Sequence, residues 1–156
     1  GRYQARLTVD GQAFTQSFFV RMDPRVQTSG QLTLQDLQAQ ETLGLQVRDL
    51  LSEPNRLVAA INERAKVLKQ AAETRQSKKE AERAQTELAT LAAIKAELVT
   101  AEGRYMLPGL LSQIGYLNNM INSADQRPGQ DAYERLAELS QQLAALQQRW
   151  QGPGKV

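Results

Sequence analysis

Residues 33–72 read TLQDLQAQETLGLQVRDLLSEPNRLVAAINERAKVLKQAA, and this stretch decides how the rest of the chain must fold. Its apolar residues recur at alternating steps of four and three, which is the a/d spacing of a long amphipathic helix. They are Leu43, Val47, Leu50, Pro54, Leu57, Ile61, Leu68 and Ala71. At about 1.5 Å per residue the helix would be roughly 60 Å long, so later segments must fold back along it.

The sequence favours a helix start at Thr33, but it contains a residue in the middle of the helix that disfavours helical structure. Thr33 is predicted as its N-cap, with Asp36 in the capping-box position. Pro54 is discordant, because an interior proline removes a backbone hydrogen bond and clashes one turn back, at a cost of about 3 kcal/mol. Ser52 could instead be the N-cap of a second helical segment that starts there. We therefore expect either a kink or a one-turn break near Pro54.

Three further helices are predicted downstream. The second spans about 77–101 and is stopped by Gly103. The third begins with Pro108 in its first turn and is apolar around nearly its whole circumference, so we expect it to be covered on several sides. The fourth spans about 131–150 and is ended by the glycines and proline of 152–154.

Helix lengths and composition predict the architecture. The second and third helices together match the first in length, so they should descend beside it, and the fourth should return along the base. Residues 71–84 lack large apolar side chains and are predicted to form the tip of a helical hairpin. The result is a three-helix base with a projecting two-helix arm, about residues 63–95. The predicted class is a mainly α, antiparallel three- to four-helix bundle.

A different period precedes the helices. Apolar residues alternate with polar ones on both sides of Asp10-Gly11, which predicts a β-hairpin with a two-residue type I′ turn. That register places Leu7 opposite Phe14 and Tyr3 opposite Phe18. A lone two-stranded hairpin is marginal in water, so we interpret it as the end of a preceding sandwich domain. The predicted divisions are a hairpin remnant at 1–24, a linker at 25–32, the helical bundle at 33–152 and a tail at 153–156.

Composition excludes most of the common hydrolytic machinery. The chain has no His and no Cys, so it holds no Ser-His-Asp triad, Cys-His pair or thiolate metal site. The 19 basic residues nearly balance the 17 acidic ones, so a net charge of +2 does not predict a nucleic-acid partner. No run of eighteen apolar residues predicts a membrane span. The start at Gly1, without an initiator Met or a signal-peptide core, suggests an excised piece of a longer chain.

The remaining candidates for chemistry are carboxylates. Asp125, Asp131 and Glu134 could hold a hard cation, but first-turn acids also favour the helix dipole, and this second interpretation is preferred because no EF-hand loop is present. The acids of the long helix, Asp36, Glu41 and Asp49, are interpreted as solvated or capping. No catalytic, metal or cofactor residue is predicted.

Two segments are candidates for an interaction surface. Residues 104–108 could form an exposed recognition edge, although a break between packed helices needs the same residue types. The mixed-sign run at the start of the second helix is more typical of a solvated face than of a phosphate track. The candidate surface residues are Arg104, Tyr105, Met106, Pro108, Tyr116, Lys78, Lys79 and Arg83.

Several strings resemble the C-terminal region of large exported bacterial proteins that carry a sialidase-like or sortilin-like β-propeller of BNR type. These strings are YQARLTVDG at 3–11, LQVRD at 45–49, EGRYMLP at 102–108 and RPGQDAY at 127–133. Such proteins have a sandwich domain and a helical tail after the propeller, and they are often labelled glycosyl hydrolases. No active-site residue of the propeller can be carried onto this chain.

The resemblance implies a non-catalytic C-terminal accessory domain, exported to the periplasm or beyond, with a structural or protein-interaction role. The alternative is a part of a glycosyl hydrolase that contributes carboxylates or surface to a site made mostly by the propeller. The expected partners are the preceding domains of the same chain, and either another protein or a second copy through the hairpin. No cofactor is expected.

Overall fold

The computed structural model describes residues 1–30, 32–74 and 77–150. Within these residues, two strands precede five helices: β1 (Arg2–Val9), β2 (Gln12–Phe19), α1 (Pro24–Ser29), α2 (Leu34–Thr74), α3 (Lys78–Leu98), α4 (Leu110–Asn122) and α5 (Gln130–Arg149). The predicted class is confirmed. Residues 75–76 of the predicted hairpin tip lie outside the described residues, as do residue 31 of the predicted linker, the predicted helix stop at 152–154 and the tail at 153–156.

The N-terminal hairpin has the predicted turn and register. Asp10 and Gly11 both have positive φ, 48° and 78°, which is the backbone of a type I′ turn. Leu7 lies opposite Phe14, and Tyr3 opposite Phe18. The sheet in the described chain consists of these two strands.

The segment predicted as a linker contains the short helix α1. Asp23 caps it by accepting a hydrogen bond from the Arg25 backbone N–H at 2.8 Å, and Pro24 occupies the first helical position. Gly30 ends the helix in the left-handed conformation, with φ of 64°. The cap, proline and glycine are therefore the local signals that the linker interpretation overlooked.

The long helix α2 begins with the predicted capping box. The Asp36 backbone N–H donates to Thr33 Oγ1 at 3.1 Å, while Asp36 Oδ2 accepts from the Thr33 backbone N–H at 2.9 Å. The predicted alternative of a break near Pro54 is wrong, because α2 continues through it. Ser52 does not cap a new segment, since its hydroxyl donates to the Arg48 carbonyl within the same helix.

The later helices fold back along α2 as the lengths predicted. The helix pair α3 and α4 runs antiparallel to α2, with the Arg64–Glu87 and Asn62–Lys95 contacts on the arm and Gln40 bonded to the end of α4 at the base. The last helix, α5, then returns beside α4 and α2. The base therefore has three helices, and the arm is formed by the far half of α2 with α3.

Two predicted helix boundaries are wrong. The helix α3 ends at Leu98, where Val99 becomes extended, so Gly103 lies in the following loop and does not stop the helix. Pro108 lies before α4, whose N-cap is Gly109. A tertiary contact explains both shifts, because Gly109 packs directly on the backbone of 98–100 and fixes where one helix ends and the next begins.

One continuous core joins the helices. Its buried apolar residues include Leu43, Val47, Leu57, Ile61, Leu68, Ala84, Leu91, Ile94, Leu98, Leu110, Ile114, Leu117, Ile121, Ala132, Leu139, Leu143 and Leu146. The helix α4 packs against α2, α5 and the end of α3, so it is covered on several sides as expected. Tyr116 is 72% exposed, because three neighbours leave its outer side open to solvent.

Candidate functional site

The loop 99–109 between α3 and α4 is held at both ends by specific contacts. The Gly109 backbone N–H donates to Thr100 Oγ1 at 2.9 Å, and the Thr100 and Ser112 hydroxyls are hydrogen-bonded at 2.8 Å. Gln113 Nε2 donates to the Pro108 carbonyl at 2.7 Å. The loop is thus anchored to the first turn of α4, and its middle is presented from a fixed base.

Glycine is required at position 109 by close approach and not by its φ angle. A Cβ on Gly109 would lie 2.6 Å from the Val99 carbonyl carbon and 2.7 Å from the Thr100 nitrogen, both backbone atoms that cannot move aside as a side chain can. The backbone φ of −65° is open to any residue. This contact holds the loop closed.

The middle of the loop exposes apolar side chains. We name Arg104, Tyr105, Met106 and Leu107 the loop surface. Tyr105 is fully exposed and Leu107 is 90% exposed, while Met106 is about half exposed. Tyr105 also has a positive φ of 58°, a conformation that costs a bulky side chain free energy and that occurs mainly where function or packing maintains it. Four of the eight predicted surface residues, Arg104, Tyr105, Met106 and Pro108, lie in this loop and are exposed.

The other four predicted surface residues are exposed but lie elsewhere. Tyr116 stands on the outer side of α4. Lys78, Lys79 and Arg83 occupy the first two turns of α3 at the end of the arm. Because α3 extends for about 30 Å from Lys78 to Leu98, the structure separates these three cations from the loop surface. The predicted residues therefore do not form one surface.

The predicted carboxylate candidates lie on the surface. Asp125, Asp131 and Glu134 are all exposed, and Glu134 accepts a hydrogen bond from Gln130 one turn away on α5. Within residues 1–30, 32–74 and 77–150, no group of three or more His, Cys, Asp or Glu side chains is arranged to hold a metal ion. The interpretation as first-turn and solvated acids fits these positions.

The hairpin presents the larger apolar surface. We name the side formed by Tyr3, Leu7, Val9, Phe14 and Phe18 the hairpin face. Each of these side chains is between 44% and 63% exposed, and the Tyr3 and Phe18 rings stack with centroids 5.9 Å apart. Leu7, Phe14 and Phe18 are therefore all exposed in the single chain. Isolated exposed apolar residues are ordinary, but a contiguous patch of aromatic and aliphatic residues is typical of an interaction site.

A buried amide that sequence reasoning missed fixes the base. Gln40 Nε2 donates to the carbonyls of Ile121 at 2.6 Å and Ala124 at 2.7 Å, and its Oε1 accepts from the Gln126 backbone N–H. Gln40 thereby satisfies the end of α4 and the loop before α5. The available signal was a glutamine one turn before Leu43, in line with the apolar seam.

Two more ion pairs join the helices near the loop and the arm. Arg149 on α5 donates to Glu97 on α3 at 2.7 Å, and Arg64 forms a two-bond pair with Glu87 at 2.6 and 3.0 Å. The hydrogen bonds that Arg64 donates to the Glu87 carboxylate raise the pKa of the Arg64 guanidinium. An arginine is charged at neutral pH with or without such a partner. The Arg64–Glu87 pair therefore stabilises the arm and does not transfer a proton.

Comparison with known proteins adds no identification. No protein-family profile, curated protein or solved structure matches the chain. None of the helices in the described ranges combines the length with the apolar character that crossing a bilayer requires.

Proposed function

We propose that this chain is a non-catalytic accessory region of a larger exported protein, with a structural and protein-interaction role. The observation that carries this proposal is the hairpin face, five large apolar side chains exposed on a sheet of two strands. The resemblance to C-terminal regions of BNR-propeller proteins supports the same assignment, with the hairpin as the last two strands of a sandwich domain.

The hairpin would be more stable if further strands, from elsewhere in a longer chain or from another chain, extended or covered its two-stranded sheet. A two-stranded sheet is marginal in water, because it buries little apolar area to offset the ordering of its backbone. Both outer edges also present backbone N–H and C=O groups to solvent, which is a template for adding strands. A facing sheet would cover the hairpin face, and neighbouring strands would satisfy the edges.

The loop surface supports an interaction role independently. Tyr and Arg are enriched at the centres of protein interfaces, where they fill pockets on the partner. Tyr105 and Leu107 are held out in solvent by a loop whose ends are anchored, so less ordering is needed when a partner binds. The helices α3 and α4, which flank the loop, then serve as the support of the loop surface.

Amide hydrogen exchange tests the sheet assignment. In the natural full-length protein, the edge amides of β1 and β2 should exchange much more slowly than in this 156-residue chain, because added strands would accept their hydrogen bonds. The amides of α4 serve as the internal control and should exchange alike in both. Equal, fast exchange of the hairpin amides in both proteins would contradict the proposal.

Self-association of the chain alone tests the apolar face. We expect Leu7→Ser with Phe14→Ser to reduce the association seen by light scattering, since both side chains belong to the hairpin face. Thr8→Ser with Thr15→Ser is the matched control on the opposite, mainly polar face. If the control and the double variant associate equally, the hairpin face is not the cause.

Activity measurements test the non-catalytic role. Chromogenic glycosides and esters should not be turned over by the purified chain. Turnover that survives purification and is lost in Asp125→Asn, Asp131→Asn or Glu134→Gln would overturn this part of the proposal.

A further inference from the structure

A groove of about 630 Å³ lies along one side of the arm, between the far half of α2 and α3. Its floor is apolar and consists mainly of Ile61, Ala65, Leu88 and Leu91. Ile61 and Leu91 are buried, whereas Ala65 and Leu88 are only half-buried and retain surface that a further side chain could cover. Ala65 on α2 and Ala92 on α3 have small side chains, which leave room for another helix to approach closely.

The rim of the groove is positively charged. Lys66 and Lys69 on α2 and Lys95 on α3 line it, and among the described residues that line it there is no carboxylate. Lys95 Nζ donates to Asn62 Oδ1 at 2.8 Å and joins the two helices at the end of the groove nearest the base. The acidic residue that pairs across the arm, Glu87, is bonded to Arg64 and does not line the groove. The charge on this side is therefore locally unbalanced, although the whole chain is nearly neutral.

The dimensions fit one helix. Between Ile61 and Gln70 the groove is about 14 Å long, the length of two to three helical turns. A third helix in the groove would place apolar side chains spaced at i, i+3, i+4 and i+7 on the floor, and its flanking acidic side chains would meet the three lysines. It would also convert the two-helix arm into a three-helix bundle like the base.

We propose that this groove is a docking site for an acidic amphipathic helix of a partner protein. The proposal does not rest on the proposed function, because neither the hairpin nor the loop surface lines the groove. A nucleic acid is the less suitable occupant, because the described residues that line the groove include lysines but no aromatic side chain for base stacking, and the floor is apolar.

Fluorescence anisotropy with a labelled synthetic peptide tests the proposal. The probe is a helical peptide with leucines at i, i+3, i+4 and i+7 and glutamates beside them. Two comparison peptides replace the glutamates by lysines, or the leucines by serines. We expect the acidic amphipathic peptide to bind and each comparison peptide to bind at least tenfold more weakly. No binding of the acidic peptide up to about 1 mM would overturn the proposal.

Charge-reversal variants locate the binding. Lys66→Glu, Lys69→Glu and Lys95→Glu together should weaken binding of the acidic peptide at least tenfold and should allow the lysine peptide to bind. The matched control is Lys78→Glu, Lys79→Glu and Arg83→Glu, which makes the same change in net charge on α3 outside the groove. Equal weakening by both triple variants would mean a non-specific charge effect and would contradict the proposal.

Two further measurements keep the result interpretable. Leu88→Glu places a charge on the floor at a half-buried position and should abolish binding while circular dichroism shows the helices intact. Should that variant unfold, Lys66→Gln with Lys69→Gln serves in its place, since both side chains are exposed and their removal leaves the core untouched. Binding of a duplex or single-stranded oligonucleotide more tightly than the acidic peptide would overturn the choice of partner.

Discussion

Gly109 and Gly115 lie within two turns of each other around α4, yet their surroundings differ completely. A Cβ at Gly109 would meet backbone atoms at 2.6–2.8 Å, whereas a Cβ at Gly115 would meet nothing within 4 Å. We expect Gly109→Ala to destabilise the protein by about 1–3 kcal/mol through overpacking. Gly115→Ala, the matched control inside the helix, should stabilise it by about 0.5–1 kcal/mol. Thermal or urea unfolding of the two variants measures both changes in stability. Equal changes would contradict the close contact at Gly109.

Core positions in the base and in the arm should differ in sensitivity. Ile114 and Leu117 on α4 are almost wholly buried, while Leu88 on α3 is half-buried. Ile114→Ala and Leu117→Ala should each cost about 2–5 kcal/mol as cavity-forming changes. Leu88→Ala should cost less, because part of its surface is already in water. Denaturant unfolding provides the ranking, and a Leu88→Ala loss as large as that of either base variant would refute it.

At the scale of the element, the start of α2 depends on one carboxylate. The pKa of Asp36 is lowered, first by the hydrogen bond from the Thr33 hydroxyl, then by the Thr33 backbone N–H, with a smaller contribution from Arg127. Its folded pKa therefore lies below the unfolded value of about 3.9. The stabilisation is present above the unfolded pKa and is lost as pH falls through the folded pKa.

Unfolding experiments across pH check this sign. Asp36→Asn should be less stable than the natural chain at neutral pH, and the difference should shrink as the solution is made more acidic than about pH 4. Asp131→Asn is the control, because Asp131 is an exposed first-turn acid of α5 at a helix without a side-chain cap. A difference for Asp36→Asn that stays constant down to low pH would rule out the capping carboxylate as its source.

The continuity of α2 through Pro54 depends on how the whole helix packs. Pro54 is fully buried in the seam of the long helix. The local cost of an interior proline, about 3 kcal/mol, is offset because a break would withdraw packed residues on either side, such as Val47 before it and Leu57 after it, from the core. Local propensity alone left a break open, and tertiary packing excluded it.

For the whole molecule, the arm and the base should differ in mobility. The base packs α2, α4 and α5 against one another, while the arm has two helices held by few buried residues, among them Leu68, Ala84 and Leu91. Less buried apolar area means a smaller free energy of local opening. We expect amides in 63–95 of the described chain to exchange faster than those of 110–121.

A hydrogen-exchange map at neutral pH measures this difference. Adding the acidic helical peptide should slow exchange in the arm and leave α4 unchanged, which links the dynamics to the proposed groove. Uniform protection from residue 63 to residue 121 in the free protein would mean that a further helix or a second subunit covers the arm, and the projecting-arm model would have to be abandoned.

The sequence by itself determined the features that depend on local pattern. Apolar spacing gave the long helix, the capping box of Thr33 and Asp36 gave its start, and Asp10-Gly11 gave the hairpin turn and register. It also placed Leu7 opposite Phe14 and Tyr3 opposite Phe18, because the side chains of a strand alternate between its two faces.

Only the tertiary structure decided the features that depend on distant parts meeting. The end of α3 and the start of α4 are set by Gly109 packing on the backbone of 98–100. The burial of Gln40 is set by carbonyls more than 80 residues away. The lysine groove likewise exists only because α2 and α3 lie side by side, which brings Lys66 and Lys69 next to Lys95. Periodicity describes one helix at a time, so no pattern within a single segment encodes a contact between two.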